Sequence, residues 1–172
     1  MSSYKSYLIV FLSSFIFIGC AKQEISVGDK YFEQEDEYII YALEYEKMKA
    51  YDKSIDIYLK LFNTTNRYEY LTRALRLYME SKQFAKIKEL AGKNLNPDSY
   101  EYENILRIYI VSLVNLKEYD LAQENAAVLL KEFNNSTNYE VMANIFYLQK
   151  NYDAINDLVP FMSSTLQFSR LT

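Results

Sequence analysis

The amino-acid sequence predicts an all-α fold in which antiparallel helix pairs stack into a solenoid. The first observation is a repeat: similar local contexts recur around Tyr51, Phe84, Tyr119 and Tyr152, at separations of 33, 35 and 33 residues. The second is the scarcity of turn-forming residues. The 172 residues include only 3 glycines and 2 prolines, fewer than a sheet with many tight turns needs. A repeat of this length corresponds to one pair of helices, and such pairs bury a continuous core only when they stack on one another.

The first element along the chain is an N-terminal segment that predicts export and lipid attachment. Lys5 precedes a mostly apolar run from Tyr7 to Gly19, which is the order of a secretory signal. The run is shorter than the ~20 apolar residues of a membrane-spanning helix. It ends in Phe17-Ile18-Gly19-Cys20, which resembles the lipobox of bacterial lipoproteins. The resemblance implies a cleaved signal peptide over residues 1–19 and acyl chains such as palmitate on Cys20.

Residues 20–34 are predicted to form the lipid-bearing cysteine and a polar tether. More than one acyl chain gives stable anchoring, so we expect a periplasm-facing protein held at a bacterial membrane. In enteric lipoproteins an Asp after the cysteine favours retention in the inner membrane. Ala21 stands there instead, which favours the outer membrane.

Composition excludes several classes of function. The chain has no histidine, which removes the commonest general base and metal ligand. Cys20 is the only cysteine, so no disulfide can form within the chain. A formal net charge of −4 is a poor match for nucleic acid, and no Gly-rich phosphate loop occurs. We therefore expect no enzymatic activity, no cofactor and no metal.

The following elements are predicted to be four helix pairs. The acidic run that includes Glu35, Asp36 and Glu37 marks the start of the first helix, because the helix dipole favours negative charge there. The predicted pairs cover about residues 35–67, 68–100, 101–135 and 136–160.

Capping residues mark the predicted starts of the later pairs, and a proline marks the predicted end of the last one. Asn66, Asp98 and Thr137 each stand three residues before a glutamate, the spacing of a capping box. We expect them to cap the first helices of pairs two, three and four. Pro160 is predicted to break or kink the last helix, which leaves residues 161–172 as a tail. This end predicts either a longer solenoid or an apolar edge that a partner covers.

The first pair carries large apolar and small residues at characteristic positions: Tyr38, Tyr41, Ala42, Tyr45, Ser54, Tyr58 and Leu61. This pattern resembles the tetratricopeptide repeat (TPR), a ~34-residue unit of two antiparallel helices. The resemblance covers roughly residues 35–160 and implies a right-handed α-solenoid. Because many of the 18 tyrosines fall at such helical spacing, a packed core is favoured over a carbohydrate-stacking surface.

The resemblance also implies a concave groove, lined by the first helix of each pair, that holds peptide or protein partners. Arg76 and Arg107 are the predicted carboxylate-binding residues, because a guanidinium can hold a carboxylate through two hydrogen bonds. The alternative is that both are solvated helix residues. The groove positions in this sequence are Ile39, Leu43, Thr72, Arg76, Arg107, Val111, Glu140 and Asn144.

A separate motif lies before the fourth pair. Glu132-Phe133-Asn134-Asn135-Ser136 resembles the acidic-x-Asn-x-Ser acceptor that some bacteria use for periplasmic N-glycosylation. Asn134 is thus a predicted glycosylation site, and a chance match in an asparagine-rich loop is the alternative.

These observations predict a membrane-anchored periplasmic scaffold or adaptor of the bacterial cell envelope that binds an envelope protein or peptide. One alternative is the non-catalytic helical part of a larger envelope enzyme, similar to a lytic transglycosylase. Another is a structural subunit whose open edge is an assembly interface.

Overall fold

The structure, a computed structural model, describes residues 34–168, with side chains through residue 162. Over this range the chain forms eight α-helices and no strand, which confirms the predicted all-α fold. The predicted signal peptide, Cys20 and nearly all of the predicted tether lie outside the described residues. The helices are α1 (Glu35–Lys47), α2 (Tyr51–Thr65), α3 (Tyr68–Glu80), α4 (Phe84–Lys93), α5 (Tyr102–Asn115), α6 (Tyr119–Glu132), α7 (Ser136–Leu148) and α8 (Tyr152–Phe168).

Consecutive helices pack against each other along the whole described array, as in a solenoid. In addition, α3 packs against α5 and α5 against α7, whereas no two even-numbered helices approach each other in this way within residues 34–168. Helices α3, α5 and α7 therefore form the more closely packed of the two layers. Within the described range, no helix has both the length and the apolar character needed to cross a membrane.

Each odd-numbered helix ends in the same left-handed turn. In the first turn the Ala50 N–H donates to the Tyr45 carbonyl (2.8 Å) and the Lys49 N–H to the Glu46 carbonyl (2.8 Å), the two bonds of a Schellman motif. The same pair of bonds closes the turns after α3, α5 and α7. The left-handed residue is a lysine every time: Lys49, Lys82, Lys117 and Lys150, with φ between 56° and 63°.

The repeating aromatic residues stand two positions after these lysines. Tyr51, Phe84, Tyr119 and Tyr152 are the first residues of α2, α4, α6 and α8. The sequence period therefore marks a turn and the start of the next helix. A lysine fits the turn because its positive charge lies at a helix C-terminus, where the dipole favours it.

The apolar core consists of two clusters. The first is built mainly from α1 to α4 around residues such as Leu61, Leu71 and Leu75, all fully buried. The second joins α5, α6 and α7 around Ile110 and similar residues. Leu95, in the connection between α4 and α5, packs against both clusters and links the two halves.

The tyrosines contribute unequally to this core. Tyr58 is buried, as the packed-core interpretation predicts, and its ring stacks against Tyr70. Tyr41 is 46% exposed and donates its hydroxyl to Glu37 at 2.8 Å, so the prediction is wrong for this residue. Because α1 is the first helix of the described array, no earlier helix there packs against its outer face.

The predicted capping boxes are wrong. Asn66 ends α2 in a left-handed conformation (φ 60°) with its N–H bound to the Phe62 carbonyl, because only two residues connect α2 to α3. Asp98 lies in a turn stabilised by Asn96, and the N-cap of α5 is Glu101. Thr137 lies inside α7. Its predicted role is taken by Asn135, whose extended backbone lets its side chain accept the Asn138 N–H.

Helix α8 continues past Pro160 to Phe168, so Pro160 does not end it. Proline removes one N–H, and the carbonyl that loses its partner belongs to Asn156, four residues earlier. Asn156 and Pro160 are both exposed, which allows water to satisfy that carbonyl.

Candidate functional site

All eight predicted groove residues lie on the odd-numbered helices α1, α3, α5 and α7. Their exposure differs: Thr72 is buried, and Ile39, Arg107 and Val111 are half-buried. The exposed members are Leu43, Arg76, Glu140 and Asn144. Of the other predicted sites, Asn134 is exposed between α6 and α7, and Cys20 lies outside the described residues.

Arg107 is held by residues of the array itself. Its Nε and Nη2 donate to Asn138 Oδ1 at 3.1 and 3.0 Å, and Nη2 also donates to Glu103 Oε1 at 2.6 Å. A longer bond of 3.4 Å joins Nη1 to Asn104 Oδ1. The two bonds to Asn138 link α5 to α7, and those to Glu103 and Asn104 lie within α5, so much of the donor capacity of this guanidinium is used inside the array.

Glu103 is the centre of this network. Its Oε1 accepts bonds from Asn135 (2.8 Å) and Asn138 (2.9 Å) as well as from Arg107. Burial tends to raise the pKa of Glu103, but the bonds from the two asparagines and the charge of Arg107 outweigh it, so the pKa is lowered. The carboxylate is therefore ionised at neutral pH and holds the fully buried Asn138 amide.

Similar glutamates join the earlier pairs. Glu35, Glu69 and Glu103 each stand in the first turn of an odd-numbered helix, 34 residues apart. Glu35 binds Arg67 at 2.6 Å and also accepts the Tyr70 hydroxyl, and Glu69 accepts the Tyr100 hydroxyl. Burial and the bond to Glu35 raise the pKa of Tyr70 to about 12, so this phenol stays a donor. Glu35 and Glu103 therefore each connect one pair to the next, and Glu69 holds the connection that leads into α5.

Arg73 is also bound to a residue of the array. It donates to Glu46 through Nε (2.8 Å) and Nη2 (2.5 Å), a two-bond arrangement that links α3 to α1. The Tyr58 hydroxyl donates to the same carboxylate at 2.7 Å. Burial tends to raise the pKa of Glu46, but the bonds from Arg73 and Tyr58 outweigh it and the pKa is lowered.

Arg76 differs from the other three arginines of the described range, each of which binds a glutamate. It is exposed, and it makes no hydrogen bond or ion pair with any residue of the described range. At the corresponding turn of the neighbouring odd-numbered helices stand Leu43, which is 46% exposed, and the half-buried Val111. Arg76 thus presents an exposed guanidinium at a repeat position that is apolar in the neighbouring pairs, a combination suited to a carboxylate flanked by apolar groups.

The even-numbered layer contains an open cleft of about 310 Å³ between α2, the end of α3 and α4. Lys86 lies over the Tyr78 ring with its Nζ 5.3 Å from the ring centre, and Lys93 binds Glu89 at 2.7 Å. Both lysines on this cleft therefore already have partners. Among residues 34–168, no group of three or more Cys, Asp or Glu side chains is arranged to hold a metal ion.

Comparison with known proteins finds no family model that matches the sequence and no curated protein that matches it. The features that bear on function are therefore the eight-helix, repeat-like array of the described residues and the side chains on α1, α3, α5 and α7.

The sequence did not indicate the bonds between pairs. The signal that could have found them is the 34-residue spacing of Glu35, Glu69 and Glu103, each in a first turn. The helix dipole and the predicted capping box account for Glu35 and Glu69 one at a time, and the partners of the three glutamates only become visible when the helices are stacked.

Proposed function

We propose that this chain is a membrane-anchored, periplasm-facing adaptor of the bacterial cell envelope, with TPR-like repeats that bind a protein partner on the layer formed by α1, α3, α5 and α7. The observation that carries the proposal is the exposed Arg76, which has no partner in the described range and lies at the same turn as Leu43 and Val111. The membrane part rests on the lipobox resemblance that ends at Cys20.

The chemistry of this layer indicates the kind of segment it binds. A guanidinium can give a carboxylate two parallel hydrogen bonds, and side chains such as Leu43 and Val111 favour apolar contacts on either side. The partner segment is therefore expected to contain an acidic residue between apolar ones. A charge-assisted hydrogen bond contributes about 1.5–3 kcal/mol, so removing Arg76 is expected to weaken binding by about 10- to 100-fold.

The test is site-specific photocrosslinking in the native host, with the full chain carrying a photoreactive residue at Val111. A matched chain carries it at Glu124, which is exposed on α6 in the other layer. We expect Val111 but not Glu124 to capture one envelope protein. Arg76→Ala should abolish capture, whereas Lys131→Ala, which removes an exposed lysine of α6, should leave it unchanged.

Peptides covering the captured protein would then be titrated against the purified full chain. The proposal requires one acidic-apolar peptide to bind, with the expected loss of affinity in Arg76→Ala. Equal capture from both layers, or capture that Arg76→Ala does not reduce, would overturn the assignment of this face. Such a result would favour a structural subunit that contacts its neighbours elsewhere.

The anchor is tested separately by Cys20→Ser, followed by cell fractionation and intact-mass analysis. We expect the native chain in the membrane fraction, with the mass of an acylated protein that begins at Cys20, and the variant without acyl chains. Density separation of the two membranes tests the expected outer-membrane location. An unmodified Cys20 in the mature chain would disprove the lipid anchor but leave the binding face untouched.

A further inference from the structure

We infer that Asn134 is a site of N-linked glycosylation, and that the structure favours it over the other two Asn-x-Ser/Thr sequences of the chain. The three begin at Asn63, Asn134 and Asn135. The inference depends on the proposed export only for the compartment in which the reaction takes place. The ability of the folded chain to accept a glycan depends on the local structure around each asparagine.

Asn134 lies at the apex of the short connection between α6 and α7. The Asn135 N–H donates to the Phe133 carbonyl at 3.0 Å, which closes a three-residue γ-turn with Asn134 at its centre. Asn134 is exposed, and its side chain makes no hydrogen bond within residues 34–168. A glycan attached to its Nδ2 would therefore break no bond of the described structure.

The neighbouring Asn135 has a structural role. Its Oδ1 caps α7 by accepting the Asn138 N–H at 3.1 Å, and its Nδ2 donates to Glu103 at 2.8 Å. Modification of this amide would remove the bond to a glutamate that also holds Asn138 and Arg107. Asn135 is thus disfavoured as an acceptor in the folded chain.

Asn63 is disfavoured for a different reason. It lies within α2, and the hydroxyl residue of its sequence, Thr65, is completely buried and donates to the Leu61 carbonyl at 2.8 Å. A transferase must recognise this hydroxyl as well as the amide. Access would require the end of α2 to unfold.

The residues on either side of Asn134 fit the acidic-x-Asn-x-Ser pattern in space as well as in sequence. Glu132 is the last residue of α6 and is exposed, and it makes no ion pair in the described range. Ser136 is the first residue of α7 and is half-buried, at the edge of the same loop. The acid, the amide and the hydroxyl therefore span one short connection whose centre faces solvent.

The donor implied by this chemistry is an oligosaccharide carried on a lipid pyrophosphate. Asn134 Nδ2 would form a bond to the anomeric carbon of the first sugar, while the bond from that carbon to the pyrophosphate oxygen breaks. The lipid pyrophosphate leaves with the bonding electrons, and a base of the transferase takes the proton that Nδ2 loses. No oxidant or reductant is needed.

The test uses the purified full chain in detergent, a purified bacterial oligosaccharyltransferase that requires an acidic residue two positions before the asparagine, and its lipid-linked donor. This arrangement makes the result independent of export and of the partner-binding face. Glycopeptide mass spectrometry is expected to find one glycan, on Asn134. Asn134→Gln and Glu132→Gln should each abolish transfer, and Asn63→Gln should leave it unchanged.

A synthetic peptide covering residues 130–138 shows in the same experiment that the enzyme is active and accepts the sequence. If the peptide is modified and the folded chain is not, the inference is overturned, because the fold then blocks the site. Transfer to Asn63 or Asn135 in the folded chain would overturn it as well. Circular dichroism of Asn134→Gln, which should match the native spectrum, shows that loss of transfer is not a loss of folding.

Discussion

Asn138→Ala is expected to weaken the attachment of the fourth helix pair to the third. The Asn138 side chain is 0% exposed and joins α7 to α5 through Glu103 and Arg107. Its Nδ2 also donates to the Phe133 carbonyl at 2.8 Å, which fixes the connection that precedes α7. Truncation removes all of these bonds together.

The expected loss in the free energy of unfolding is estimated from the hydrogen-bond partners of Asn138. Bonds to a charged group contribute about 1.5–3 kcal/mol and a neutral bond about 1 kcal/mol, so the bonds to Glu103, Arg107 and Phe133 together account for roughly 5 kcal/mol. The side chains of Glu103 and Arg107 are 29% and 26% exposed, so water replaces part of what they lose. Alanine is also a better helix former than asparagine by about 0.6 kcal/mol. We therefore expect a net loss of about 3 kcal/mol.

The assay is urea unfolding of the full chain followed by circular dichroism, together with hydrogen exchange of α7 and α8. Asn144→Ala is the matched control, since Asn144 is exposed on the same helix and makes no hydrogen bond in the described range. In a double-mutant cycle with Glu103→Ala, the coupling energy should exceed about 1 kcal/mol. A loss below about 1 kcal/mol, or faster exchange spread evenly over all helices, would refute the reasoning.

Three further predictions concern stability, measured by urea unfolding. Because folding lowers the pKa of Glu103 from 4.5, ionised Glu103 contributes fully to the free energy of unfolding above pH 4.5, and this contribution is lost as the pH falls through the folded-state pKa. Glu103→Gln should therefore make the free energy of unfolding depend less steeply on pH in acid, and an unchanged dependence would contradict the prediction. Lys82→Gly should be more stable than Lys82→Ala by about 1 kcal/mol, because only glycine adopts the left-handed conformation without strain; equal stability would exclude strain at this turn. Gly92→Ala should add about 0.5–1 kcal/mol, since the new Cβ would lie at an ordinary 3.4 Å from the Tyr109 ring, and a loss would show that α4 needs this glycine for packing.

The architecture could be predicted from the sequence because it depends on period. The contexts that recur around Tyr51, Phe84, Tyr119 and Tyr152 predict four repeats, and in the structure each of these residues begins the second helix of a pair. Helix ends were harder to predict. Glycine is the usual left-handed residue at a helix end, so lysines at the same period gave no recognisable signal.

The capping residues and the side-chain hydrogen bonds could not be predicted, because several residues could fill each role and the sequence does not show which one is in place. Asn135 and Thr137 are both good capping residues, and the choice between them follows from the path of the chain after α6. Repeat position and guanidinium chemistry predict the same role for Arg76 and Arg107. The structure shows Arg107 bound to Glu103 and Asn138, and that difference depends on side chains more than 30 residues apart.

The packing of each helix against helices no more than two places away along the chain has a consequence for the order in which the chain can fold. Within the described residues, no hydrogen bond between helices joins partners more than 35 positions apart. Such low contact order favours rapid folding, because only short loops have to close before apolar contacts form. A helix pair can therefore acquire its native contacts as soon as the next pair is available, and the array can assemble progressively from either end.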